Sequence, residues 1–137
     1  MYTTSAAYKT AMYGQVRIVR AAATLGGVSI KDDDNLQSIT IDRPCVGEYL
    51  IGSALSAKIS IKAYDPDGEL SGIEDGAALS VSLGVENDDT GALELVPFPS
   101  VTCDSVEYDP DSEVCTAYGF DDMTLLDGKT FSELDIV

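Results

Sequence analysis

The sequence predicts a mainly β fold: an antiparallel β-sandwich or partly open β-barrel, with a short helix near each end. Three observations predict it. Apolar and polar residues alternate with a period of two in one segment after another, as a strand with one buried and one wet face requires. Clusters of Gly, Pro, Asn and Asp punctuate these segments every eight to twelve residues or so, the spacing of sandwiches and barrels. Helical spacing occurs only in two short stretches, one near each terminus. With 137 residues and no internal repeat or low-complexity linker, residues 1–137 read as a single domain.

Each element follows from its local pattern. Thr3 to Met12 places Ala6, Ala7, Lys9, Ala11 and Met12 behind Thr4 and Ser5, so helix formers follow a capping residue, and Gly14 stands where a stop belongs. Such a helix of about two turns is marginal alone and must dock. Gln15 to Leu25 reads as a strand, Gly26-Gly27 as a two-residue hairpin turn, and Val28 to Ile30 as the return. Lys31 to Asn35 is a solvated loop. Leu36 to Asp42 is a strand ended by Arg43-Pro44, because proline restricts its predecessor and donates no backbone bond.

Leu55, Ala57, Ile59, Ile61 and Ala63 alternate with Ser56, Lys58, Ser60 and Lys62, and Leu79, Val81, Leu83 and Val85 alternate beyond an acidic glycine-rich turn. Leu93 to Phe98 is a short strand stopped by Pro97 and Pro99. Val101 to Tyr108 and Glu113 to Tyr118 form a hairpin across Asp109-Pro110-Asp111-Ser112. Gly119 to Leu126 switches toward helical spacing, a short helix closed near Gly128.

Composition excludes several classes of chemistry. The chain has no His, so Ser-His-Asp and Cys-His mechanisms cannot be built within it. Its net charge is -16, from 24 acids against 8 bases, which opposes direct nucleic-acid binding through phosphate. A surface this acidic keeps a chain soluble and also suits a wall that DNA slides past. No segment approaches the ~20 apolar residues of a membrane helix, and no secretory leader is evident in residues 1–20. Cys45, Cys103 and Cys115 are odd in number and form no CxxC, against a disulfide scaffold or zinc site. With the hairpin tip at Asp109 to Ser112, Cys115 is expected opposite Val106, out of register with Cys103.

The turn Asp65-Pro66-Asp67-Gly68 invites a calcium reading, but a full loop needs a bidentate Glu at its twelfth position, and counting from Asp65 that residue is Gly76. The alternative is a structural turn: Pro66 presets φ, Gly68 supplies positive φ, and Asp65 accepts from local amides. Asp32-Asp33-Asp34, Asp88-Asp89 and Asp121-Asp122 are adjacent acids, whose side chains diverge, so they read as solvated loops and not as a catalytic pair. No phosphate-binding glycine motif occurs. These readings name no catalytic residue, metal site or cofactor.

Several motifs in order resemble one family. Asp65-Pro66-Asp67-Gly68-Glu69-Leu70-Ser71-Gly72, then Glu74-Asp75-Gly76-Ala77 and Leu79 to Val85, is similar to the N-terminal region of tail-associated hub proteins, the minor tail or baseplate hub proteins of long-tailed phages and prophages. Ser5 to Met12 running into Val16-Arg17 resembles the family's opening helix and first strand, and Val101 to Val106 its strand before the hairpin. Thr116-Ala117-Tyr118, then Met123, Leu126 and Asp127, resembles its TAYD-x-M-x-x-LD signature, with Gly119-Phe120-Asp121 where the family has one Asp. Two sets of residues thus stand out: Asp65, Asp67, Gly68, Leu70, Ser71 and Gly72 in the turn, and Thr116, Ala117, Tyr118, Met123, Leu126 and Asp127 in the signature.

The resemblance implies a barrel related to the tail-tube fold, in a longer protein of which this chain is the first domain. It implies a non-enzymatic virion-tail component, assembled in the bacterial cytoplasm as a trimer with distal tail and tape-measure proteins as partners. Read from the residues alone, the all-β pattern and acidic loops also fit a carbohydrate- or calcium-dependent adhesion module, and more distantly a carboxylate-dependent hydrolase.

Overall fold

A computed structural model describes residues 3–14, 18–31, 35–42, 57–87 and 90–121. Within them lie one helix, α1 (Ala6–Tyr13), and eight strands: β1 (Ile18–Leu25), β2 (Val28–Lys31), β3 (Leu36–Asp42), β4 (Lys58–Tyr64), β5 (Ala78–Glu86), β6 (Leu93–Pro97), β7 (Val101–Asp109) and β8 (Val114–Phe120). All pairings are antiparallel and join in the order β2-β1-β5-β7-β8-β4-β3, with β6 also on β5. The protein is mainly β, and its sheet curls nearly into a barrel.

One long stretch of chain makes the corner. β6 pairs with the far half of β5, from Ser82↔Pro97 to Glu86↔Leu93. The Phe98 amide donates to the Val81 carbonyl at 2.8 Å, and β7 then meets β5 only at Leu79↔Val101 and Ala78↔Thr102. Beyond that point β7 leaves β5 and pairs with β8. Two half-sheets, β2-β1-β5-β6 and β7-β8-β4-β3, therefore share one bent strand path. Glycine allows the close approaches: a Cβ on Gly84 would lie 1.9 Å from the Glu94 carbonyl oxygen, and one on Gly119 would lie 2.3 Å from that of Thr102.

The alternation read from sequence is the alternation of burial in β4 and through Val81 of β5; beyond it Leu83 is only half-buried and Gly84 is buried. Ala23 and Leu25 of β1, Ile30 of β2, Ile59, Ile61 and Ala63 of β4, Leu79 and Val81 of β5, Val101 and Cys103 of β7, and Cys115 and Ala117 of β8 form one core. Gly26 and Gly27 have φ of 57° and 91°, which the two-residue turn between β1 and β2 requires. Ser5 caps α1 by accepting from the Tyr8 amide at 3.0 Å. Gly14 ends the helix in extended conformation, φ -64°, so the stop uses no left-handed glycine. α1 buries no residue of its own; it rests at the β5–β6 end, where the Ser5 amide and hydroxyl both donate to Glu94.

The hairpin register corrects one expectation. Cys115 lies opposite Tyr108, and Val106 lies opposite Ala117. The loop is Pro110 to Glu113, with Glu113 at φ 55°, so the tip sits later in the chain than Asp109 to Ser112. Cys103 faces Gly119, and Cys103 and Cys115 are free thiols. Gly119 and Phe120, expected to enter the second helix, instead end β8, because they pair with Ile59 and Lys58 of β4. The rest of that expected helix, with Met123, Leu126 and Asp127, and the segments around Arg43-Pro44, Cys45 and Leu55 lie outside the described residues.

Candidate functional site

Of the two sets of residues singled out in the sequence, the turn residues and Thr116, Ala117 and Tyr118 adjoin one strand pair, β4 with β8. β4 runs into the acidic turn, and β8 pairs with β4 along its whole length, setting Thr116 opposite Lys62, Ala117 opposite Ile61 and Tyr118 opposite Ser60. Ala117 is buried in the core, whereas Thr116 faces outward.

Asp65 organises the turn. It is 2% exposed, and its carboxylate accepts from the Glu69 amide at 3.1 Å and the Leu70 amide at 2.7 Å. Its own amide donates to the Glu113 carbonyl at 2.7 Å, and its carbonyl accepts from the Tyr108 hydroxyl at 3.2 Å. The two amide bonds point Leu70 into the core, where it is also 2% exposed. Gly68 takes φ 74°, and its carbonyl accepts from both the amide and the hydroxyl of Ser71. Asp67 and Gly72 are exposed. Asp65 is thus a brace for the backbone, as the structural-turn reading expects.

The rest of the turn covers the edge of β7 that β8 leaves open. The Gly76 amide donates to the Cys103 carbonyl at 2.9 Å, the Cys103 amide to the Ala77 carbonyl at 2.8 Å, and the Val106 amide to Asp75 Oδ1 at 2.8 Å. Covering an edge in this way removes a strip open to adventitious pairing.

The β7–β8 hairpin tip lies beside this turn. Asp109 accepts from the Asp111 amide at 3.0 Å and the Ser112 hydroxyl at 2.6 Å, and these bonds hold its carboxyl below the usual range, the hydroxyl bond most. Tyr64 donates to Glu113 Oε2 at 2.8 Å, which raises the phenol's pKa. Burial pushes the Tyr108 phenol up, with Asp65 adding to it. Burial likewise pushes the Cys103 thiol up to about 11 and raises Cys115. Among the described residues, no three His, Cys, Asp or Glu side chains gather as a metal site.

An open groove of about 320 Å³ runs beside the tip, lined by Lys62, Glu107, Tyr108, Asp109, Ser112, Val114 and Thr116. Glu107 and Asp109 both line it, and the hydrogen bonds to Asp109 favour its ionised form. A second open hollow, about 570 Å³, is lined by α1 residues including Tyr8, Met12 and Tyr13.

On the outer face, Lys58 Nζ lies 4.6 Å from the centre of the Tyr118 ring and 5.8 Å from that of Phe120, and the two rings meet edge to face at 6.3 Å. Sequence reading missed this row. The outward phase of Lys58 was legible, but that of Tyr118 was not, and their adjacency depends on the β4–β8 pairing. Among the described residues, no helix is long and apolar enough to cross a membrane. No protein-family model matches the chain, and neither a curated protein nor a solved structure matches it.

Proposed function

We propose that the chain is a structural component of a phage or prophage tail tip, acting in assembly at the end of the tail tube. In this reading it works as a trimer in contact with the distal tail and tape-measure proteins, and it catalyses nothing. The observation that carries the reading is how the carboxylates of the turn and hairpin are used. Asp65 and Asp75, in the stretch that resembles the hub family, accept from backbone amides and so serve shape, as Asp109 does at the hairpin tip. Acids also gather in these two adjoining turns, where Asp67, Glu69, Glu74, Asp111 and Glu113 join them, and such a surface suits a wall that DNA passes without adhering.

Co-expression with the distal tail and tape-measure proteins that this reading requires the neighbouring genes to encode tests the proposal. Co-purification of a defined complex, and rings in negative-stain images, are the expected results. Failure of both, with the chain folded, refutes it. The Lys58–Tyr118–Phe120 row favours a second reading, an adhesion module for carbohydrate; binding on a glycan array that is lost in Tyr118→Ala would establish that reading instead.

A further inference from the structure

The two strands that end the sheet are built differently. β2 has four residues and closes on Lys31. β3 has seven, with no proline and no charge before Asp42. Among the described residues β3 pairs with β4 alone, so its other edge presents backbone donors and acceptors with no ladder partner. Proteins normally blunt such an edge with lysine, proline, a bulge or short length. The single irregularity of β3 falls between Leu36 and Ser38 and leaves 38–42 regular. Ile39 and Ile41 pack against the core yet are only half-buried.

We propose that this edge is a self-association site, where β3 of one copy pairs antiparallel with β3 of a second about a two-fold axis at Thr40. Antiparallel partners must lie on the same face, so only registers centred on a residue keep apolar side chains together. Centred on Thr40, that residue faces the partner's Thr40, Ile39 faces the partner's Ile41, and Ser38 faces the partner's Asp42. Isoleucine meets isoleucine, hydroxyl meets hydroxyl, and each carboxylate meets a hydroxyl. Centring on Ile39 sets Ile41 against Gln37 at the irregularity, and centring on Ile41 shortens the ladder. The register is self-complementary, as a two-fold contact requires. Charge singles out the same strip: on a chain of net charge -16, it lets two copies approach without opposing like charges. The inference is independent of the tail-tip reading.

Sedimentation velocity on the full chain over a wide concentration range tests it. A monomer–dimer equilibrium is expected, tighter at higher salt because screening weakens the repulsion between acidic copies. Thr40→Lys opposes two ammonium groups at the axis and should weaken association at least tenfold with an unchanged circular dichroism spectrum. Thr40→Cys in a Cys45→Ser background should give a disulfide-linked dimer on oxidation, while Ser29→Cys on β2 should not. The cross-link decides the matter if Thr40→Lys fails to fold. A monomer at every concentration, undiminished association of folded Thr40→Lys, or equal cross-linking at positions 29 and 40 overturns the proposal.

Discussion

Replacing Asp65 with alanine removes a buried carboxylate that holds two amides, those of Glu69 and Leu70, at 3.1 and 2.7 Å. A hydrogen bond to a charged group contributes about 1.5–3 kcal/mol, and a buried amide left without an acceptor costs a similar amount. The Glu69 amide is only part-buried and can be rehydrated, so the lower end of the sum applies, about 3 kcal/mol. With a urea m-value of about 2 kcal/mol/M, the unfolding midpoint should fall by about 1.5 M. For a chain of this length the same loss lowers Tm by about 10 °C. Asp65→Asn keeps one carbonyl acceptor but turns an NH2 toward the other amide, and should fall between. Exposed Asp67→Ala should stay within about 0.5 kcal/mol of the parent. The assay is equilibrium urea unfolding followed by far-UV circular dichroism, with and without a calcium chelator. A loss under about 0.5 kcal/mol for Asp65→Ala refutes the brace. A loss that disappears in chelator shows that Asp65 acts through calcium.

Other outcomes follow from the same geometry. Gly119→Ala should cost about 1–3 kcal/mol in thermal unfolding, because its Cβ would lie 2.3 Å from the Thr102 carbonyl oxygen; Gly72→Ala, with open space around it, should be near neutral. Leu70→Ala should cost about 2–5 kcal/mol, read by the same urea titration, since the turn exists partly to seat that side chain in the core. Ser5→Ala should cost about 1 kcal/mol of helix stability, seen as faster hydrogen exchange in α1 with the sheet unchanged. Stability should fall as pH rises from about 9 toward 11. In that window an unfolded Cys103 thiol loses its proton while the folded one, pushed up to about 11, keeps it, so deprotonation favours unfolding; in Cys103→Ala the slope should shrink.

Much of the fold was legible because strands with one buried face write their period into the chain. β3, β5 and β6 fall where alternation and proline placed them, and the Gly26-Gly27 turn has the two positive φ values that such a dipeptide supplies. The role of Asp65 was legible too, since Asp before Pro-Asp-Gly accepts from local amides whatever the distant context. The β7–β8 register was not. Its loop begins after Asp109, with Glu113 in left-handed conformation, which is unusual for glutamate and leaves no compositional mark. The strand pair that places Tyr118 beneath Lys58 joins segments far apart in sequence, and no local pattern encodes that pairing.

By itself the sequence determined which residues of β4 face inward, that the chain turns at Gly26-Gly27 and at Asp65 to Gly68, and that nucleophilic catalysis dependent on histidine cannot be built within this chain. Those properties rest on side-chain periodicity, turn conformations and residue chemistry, all local. The tertiary structure alone decided that β6 and β7 form one bent path joining two half-sheets, that the acidic turn covers the open edge of β7, and that β3 ends the sheet with its edge unpaired among the described residues. These depend on which distant strands meet. Burial of a common core selects those partners, because a strand's alternation fixes the face it buries and leaves its neighbours unspecified.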